Sequence, residues 1–200
     1  MKGKNRMQVT LAAVLALSAF AAGCASTPPS RFYTLRAASG PAARTSQLTV
    51  VVGPVSIPAE VDRPQMVVNM GANQLRLEEF DRWAAPLQSN IARAVADNLV
   101  QMLGTPLVSL SAQTLSADAD YRAVIDVQRF ESVPGSAAVL DALWTVRRKD
   151  GRAQTGRTTV RESVQEKDYD ALAAGHSRAL ARLSRDLADA VAALAQLPPV

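Results

Sequence analysis

Residues 47–57 read QLTVVVGPVSI. Val50, Val51, Val52, Val55 and Ile57 are β-branched, and the apolar character does not alternate. That pattern predicts a central strand covered on both faces, because a half-exposed strand would show polar residues at every second position. Gly53-Pro54 interrupts the run. Proline has no N–H to give to a ladder, so a bulge or a change of partner is expected there. A strand buried on both sides needs neighbours, and the search for them runs outward in both directions.

Upstream, Arg31–Leu35 (RFYTL) is a strand candidate, followed by an Ala/Ser/Gly-rich loop over 36–47. Downstream, Pro58–Pro64 (PAEVDRP) is a turn closed by proline at each end, with Asp62 and Arg63 inside it. Gln65–Met70 and Gln74–Glu79 form a hairpin about Gly71-Ala72-Asn73, Leu75 and Leu77 alternating with Arg76 and Glu78 so that one face is wet. Phe80–Trp83 leads into a helix, with Pro86 in its first turn and Gly104 as its stop. Leu87, Ile91, Val95, Leu99 and Met102 give its apolar stripe at a period of about 3.6.

Pro106–Leu110 reads as a short strand, and Ser111–Asp118 as a polar loop. Tyr121, Ala123, Ile125 and Val127 alternate with polar residues, and the phase then flips at Arg129 and Phe130. A one-residue slip would invert every face, so a bulge is expected near Gln128. Ala138, Leu140, Ala142, Trp144 and Val146 form the inner face of the next strand. A two-residue Asp150-Gly151 turn would set Trp144 against Arg157. A three-residue loop of Lys149, Asp150 and Gly151 instead pairs Trp144 with Gly156 and Leu140 with Val160, and is predicted. After a return strand over 155–165, Asp168 or Asp170 caps a last helix with Leu172, His176, Ala179, Leu180, Leu183, Leu187, Val191 and Leu194 on its stripe. The order is ββββα-ββββα: an α+β fold, a mixed or antiparallel sheet with two helices on it, in one domain over residues 31–200.

The first 23 residues belong to something else. Lys2, Lys4 and Arg6 precede an apolar run from Val9 to Ala22, broken by Thr10 and Ser18, and Ala21-Ala22-Gly23-Cys24 follows. This is the layout of a secretory signal peptide. Cys24 is the only cysteine in the chain. Small residues before a cysteine resemble the bacterial lipobox, which implies cleavage before Cys24, a diacylglycerol on its sulfur and an acyl chain on its new amino group. An ordinary secretion signal with an incidental cysteine is the alternative, but an unpaired thiol in a secreted protein itself needs explaining. One acyl chain anchors only marginally, whereas two or three hold a protein on a membrane. Residues 24–30 are then a lipidated tether, extended by Pro28 and Pro29. Ala25, where aspartate would signal inner-membrane retention, favours the outer membrane.

Removing the leader also changes the charge. The whole chain is formally +4, but residues 24–200 hold 19 basic and 18 acidic side chains. A nucleic-acid role based on net charge loses its support.

Chemistry is sparse. His176 is the single histidine and lies on an apolar stripe, read as the edge of a packed face. It lacks a Gly-x-Ser-x-Gly elbow and any cysteine or histidine partner for a metal, so no catalytic residue, metal site or cofactor is expected beyond the lipid on Cys24. Asp118 with Asp120, and Asp168 with Asp170, read as loop and capping carboxylates rather than calcium ligands. Glu78, Glu79 and Asp81 beside Arg76 and Arg82 read as a solvated charged edge. Arg178, Arg182 and Arg185 form a charged helix face with Asp186 and Asp189 as i,i+4 partners, which anionic head groups or an acidic partner would also suit. The rigid 57–64 loop is a good surface for another protein, an internal Asp62–Arg63 network being the equal alternative.

Several marks recur in order along the mature chain: Tyr33-x-Leu35, Val-Gly-Pro-Val-x-Ile-Pro over 52–58, Asp-Arg-Pro-Gln over 62–65, Arg-Trp-Ala-x-Pro-Leu over 82–87 and Ala-x-Asn-Leu over 96–99. Together with the lipobox they resemble the ABC-type transport auxiliary lipoproteins, a family that includes the paraquat-inducible lipoproteins. The departure is Ala59-Glu60-Val61, where a bulkier step is usual before Asp-Arg-Pro. The resemblance implies a non-enzymatic outer-membrane lipoprotein of an MCE-type lipid transport system. It would dock a periplasm-spanning MCE protein and the associated inner-membrane components, with a homo-oligomer plausible. Asp62, Arg63, Gln65, Arg82 and Trp83 are the candidate contact residues. A structural or assembly lipoprotein of another envelope complex, and a lipid-anchored hydrolase, are the competing classes.

Replacing Cys24 with serine is expected to leave the fold intact and release the protein from membranes on fractionation. Retention of Cys24→Ser in the membrane fraction would show that the anchor lies elsewhere.

Overall fold

The valine run becomes a strand, Val50–Ser56, and Val50, Val51 and Val52 are each 1% exposed, so both its faces are covered. A computed structural model of the chain describes residues 28–38, 46–111 and 118–198. The leader, Cys24 and the first part of the tether lie outside the described residues, as do most of the polar stretches expected over 36–47 and 111–118.

The elements run β1 (Arg31–Tyr33), β2 (Val50–Ser56), β3 (Gln65–Gly71), β4 (Gln74–Trp83), α1 (Leu87–Leu103), β5 (Val108–Leu110), β6 (Tyr121–Val133), β7 (Ala137–Arg148), β8 (Ala153–Ser163) and α2 (Tyr169–Ala195). This is the expected ββββα-ββββα order, and the fold is α+β with a mixed eight-stranded sheet.

The sheet is organised by β6. Along one edge its 13 residues pair antiparallel with β7 for their whole length. Its other edge is shared. The first half pairs parallel with β2, from Val50↔Tyr121 to Ser56↔Asp126, and the far end meets β3 at Val68↔Ser132. Beyond β2 lies β5, parallel; beyond β3 lie β4, antiparallel, and then β1, parallel. Two irregularities bracket the fork. The β2–β6 register shifts between Val52 and Val55, across Gly53-Pro54, and the β6–β7 register shifts between Val127 and Arg129. Both sit where the sequence placed a break.

The β7–β8 hairpin closes with Arg148 N–H donating to Arg152 C=O at 2.8 Å, and Gly151 has φ +91°. Trp144 faces Gly156 and Leu140 faces Val160, the register that the three-residue loop requires. Gly156 leaves room for the Trp144 ring, whose Nε1–H donates to Thr158 Oγ1 at 3.0 Å.

The helices pack on the sheet and on each other: α1 against β2 and β5, α2 against β7 and β8. Leu87, Ile91, Val95 and Leu99 of α1 are buried, and Gly104 ends it at φ +64°. Pro86 is the residue just before the helix rather than inside its first turn. Asp168 caps α2, accepting from Ala171 N–H at 2.7 Å. Asn90 and Asn98 are the buried polar residues of α1. Asn90 Oδ1 accepts from Leu35 N–H at 3.1 Å and Asn98 Oδ1 from Ala38 N–H at 2.9 Å, so the chain after β1 is strapped along the helix. Asn98 Nδ2 also donates to Ser184 Oγ at 3.2 Å, joining the helices.

Three expectations are corrected. Phe80–Trp83 continues β4 instead of forming a connector, because β1 adds to it over Arg31↔Asp81 to Tyr33↔Trp83. Neither face of the first part of β4 is buried: Leu75 is 51% and Leu77 42% exposed, although Met66, Val67 and Val68 of its partner β3 are buried. Arg182 and Arg185 form no ion pairs with Asp186 and Asp189; Asp186 instead accepts from Thr158 Oγ1, and Arg178 pairs with Glu162 at 3.1 Å.

A Cβ at position 156 would overlap the Trp144 indole. Gly156→Ala is therefore expected to cost about 1–3 kcal/mol of stability, the usual range for overpacking a tight contact, with a changed Trp fluorescence. A urea midpoint equal to that of the parent would refute the close packing.

Candidate functional site

The fork in the sheet positions the loop that the sequence singled out. After β2 ends at Ser56, the chain crosses to β3 through residues 57–64. Val61 N–H donates to Pro58 C=O at 3.1 Å and Arg63 N–H to Val61 C=O at 2.9 Å, giving two tight turns in succession. Trp83 N–H then donates to Pro64 C=O at 2.8 Å, tying the loop to the end of β4. The result is a cleft of about 320 Å³ with Asp62, Arg63 and Pro64 on one side and Trp83 to Leu87 on the other.

The structure thus brings together candidate residues from two separate stretches. Asp62 is exposed and Arg63 half-buried. Asp62 and Arg63 form no hydrogen bond or ion pair with each other, so the internal network weighed from the sequence is not present. Instead Arg63 Nε is buried and has no acceptor. Gln65 and Arg82 are register partners beside the cleft, and Arg82 Nε donates to Glu79 C=O at 2.9 Å. Trp83 is 5% exposed and forms the floor of the cleft rather than a projecting contact.

Beneath that floor lies the histidine. Trp83 meets Phe130 edge-on at 6.1 Å and the His176 ring at 6.4 Å, and His176 stacks on Phe130 at 3.8 Å and 10°. His176 Nε2 is 2.8 Å from Ser132 Oγ. His176 is 0% exposed, so it is the centre of a packed layer and not its edge as the stripe suggested. Burial holds its imidazole down at about 3. A Ser–His contact invites a hydrolytic reading, but both groups are closed to solvent and Nδ1 has no partner to orient the ring.

The charged edge also resolves into structure. Asp81 is 4% exposed, not solvated: Arg31 grips both its oxygens at 2.8 and 2.9 Å, and Tyr33 Oη donates to it at 2.8 Å. Burial and the bond to Asp81 push the Tyr33 phenol up to about 12. Asp120, weighed as a calcium ligand, accepts from Lys149 Nζ at 2.8 Å and from Thr49 N–H and Oγ1, which hold its carboxyl down at about 2. Among the described residues no group of three or more His, Cys, Asp or Glu is arranged to hold a metal ion. No described helix is long and apolar enough to cross a membrane.

Residues 33–188 match the family model of the ABC-type transport auxiliary lipoprotein component. The chain belongs to this family. No curated protein matches the sequence. The fold is similar to that of an uncharacterized protein of known crystal structure, with a TM-score of 0.67 at 19% identity, covering 82% of this chain and 99% of that one. It is also similar to protein XCC0632 from Xanthomonas campestris, with a TM-score of 0.65 at 21% identity, covering 84% and 99%. The family is one of auxiliary components of ABC-type transport carried as lipoproteins, not one of enzymes.

Sequence reasoning missed several exposed apolar side chains. Phe32, Met70, Leu75, Leu77 and Phe80, on β1 and the β3–β4 hairpin, are exposed by 36% to 64%. The available signal was the pair of exposed-looking aromatics flanking charged residues, which alternation disguised as an ordinary amphipathic strand.

A pH experiment follows from His176. In the unfolded chain its imidazole titrates near ~6.5, and in the fold at about 3. Between these values the unfolded state binds more protons, so stability is full above ~6.5 and falls as pH drops toward 3, by at most about 4–5 kcal/mol. His176→Phe is expected to flatten this part of the urea-midpoint profile. An unchanged acid slope in the variant would assign it to other groups.

Proposed function

We propose that the protein is a non-enzymatic outer-membrane lipoprotein of an MCE-type, ABC-linked lipid transport system. On this reading it docks a periplasm-spanning MCE protein through the cleft between the 62–64 turn and residues 83–87. Membership of the transport auxiliary family supports the system. One observation carries the site: Asp62, Arg63 and Trp83, from two distant stretches, line a single cleft with Gln65 and Arg82 beside it, and Arg63 Nε is buried without an acceptor. A buried donor left unpaired costs about 1–3 kcal/mol, which an acceptor from a partner would recover.

Lipid on Cys24 holds this surface near the membrane, and Ala25 supports the outer membrane over the inner. No cofactor takes part. A role in assembling another envelope complex uses the same anchor and the same cleft but a different partner.

A photo-crosslinking residue at position 62 or 82 in the intact lipoprotein, in cells, is expected to capture an MCE-domain protein. Capture of only another envelope protein would overturn the transport reading in favour of the assembly role. Replacing Arg63 with alanine is expected to reduce the crosslink at 62 about tenfold while leaving the unfolding free energy from urea titration within about 1 kcal/mol of the parent, because no side-chain bond inside the chain is lost.

A further inference from the structure

The strand β8 has one neighbour, β7, and its outer edge pairs with no other strand among the described residues. Which groups face outward follows from the ladder. Arg148 and Arg152 are a hydrogen-bonded pair at the hairpin end. Antiparallel pairs alternate between bonded and non-bonded, so Thr155, Arg157, Thr159, Arg161 and Ser163 turn their N–H and C=O groups away from β7. Two contacts agree with that count: Arg178 Nη2 donates to Ser163 C=O at 3.2 Å from outside, and Val164 N–H donates to Ser136 C=O at 2.9 Å from inside.

Long free edges are usually blunted by charge. Here the guarding arginines are drawn back onto the sheet. Arg157 makes a two-point bond to Asp141 at 2.8 and 2.7 Å, and Arg161 Nη2 donates to Ser136 Oγ at 3.0 Å. The edge between them is left open. Consecutive residues 157–162 of β8 line one side of a groove, and Arg182, Arg185 and Asp186 of α2 line the other. Asp186 is engaged by Thr158, whereas Arg182 and Arg185 are exposed and form no bond among the described residues.

We propose that this groove takes an extended acidic segment of a partner protein as a ninth strand. Main-chain groups of Arg157, Thr159 and Arg161 pair with the segment, and Arg182 and Arg185 bind its carboxylates. Strand addition draws affinity from the backbone and selectivity from the flanking side chains, which here are cationic. A second copy of this chain is a poor occupant. Antiparallel pairing of β8 on itself about Thr159 sets Arg157 opposite Arg161, and like charges directly opposed destabilise a ladder. The inference is independent of the transport reading.

The test uses the full lipoprotein in detergent micelles and a labelled peptide of about eight residues alternating glutamate and valine, a typical strand length. A lysine–valine peptide of the same length is the control. The glutamate peptide is expected to bind at least about tenfold more tightly than the control, a difference of about 1.4 kcal/mol, and to slow hydrogen exchange at Arg157, Thr159 and Arg161. The double variant Arg182→Glu, Arg185→Glu, on exposed positions, is expected to remove that preference. Thr159→Pro, which deletes an outward N–H, is expected to weaken binding of the glutamate peptide several-fold without a change in the far-UV spectrum; should that variant misfold, the arginine double variant decides. Absence of saturable binding, or equal binding of both peptides, would overturn the proposal. So would protection of the same amides by self-association without peptide.

Discussion

One edge of β6 must serve two strands. With β7 occupying the other edge from Tyr121 to Val133, β2 and β3 are forced to share what remains. A regular ladder would let β2 run on and exclude β3. Gly53-Pro54 breaks that regularity: proline offers no N–H, the β2–β6 register shifts there, pairing resumes for Val55 and Ser56, and β2 then ends. Near Gln128, β6 bulges and its faces exchange, so Phe130 and Ser132 turn toward the helix side at the point where β3 arrives. Ser132 then has two partners, Val68 across the sheet and His176 below it.

From this fork the rest is placed. The chain must cross from β2 to β3 at one end of the sheet, and it does so in the short, proline-bounded 57–64 segment. That crossing makes one wall of the cleft. β4 returns along β3, its end is fixed by Pro64 C=O, and the residues beyond it make the second wall. His176 fills the space under the fork. An imidazole serves where a larger ring would not, because Nε2 satisfies the buried Ser132 hydroxyl while the flat face stacks on Phe130. The cost is a neutral, desolvated histidine with an idle Nδ1, and that cost explains why its charged form is so strongly disfavoured.

Much of the fold was legible because its determinants are local. β-branched valines announced β2, the phase flip announced the bulge near Gln128, and counting Lys149, Asp150 and Gly151 set the β7–β8 register. The remainder depends on neighbours far along the chain. Nothing within residues 172–180 says that His176 will meet Ser132, 44 positions earlier. Asp81 looked like one more solvated carboxylate because Arg31 is 50 residues away. Leu75 and Leu77 have the alternation of a core face, and nothing local in β4 says that both stay exposed. The cleft was half legible: both stretches stood out for their composition, but their meeting depends on the fork.

The same geometry constrains where the cleft stands on a membrane. If Cys24 carries the lipid, the tether reaches the domain at Arg31, which is locked to Asp81 by a two-point ion pair and by strand pairing. Seven residues from 24 to 30 span at most about 25 Å when extended. Asp81 lies two residues before Trp83, about 7 Å along the strand, and Trp83 is the floor of the cleft. The cleft therefore sits on the tethered end of the domain, within roughly 30 Å of the anchoring cysteine. Tether and cleft thus share one attachment to the domain, so whatever the cleft binds is held within that reach of the residue that carries the lipid.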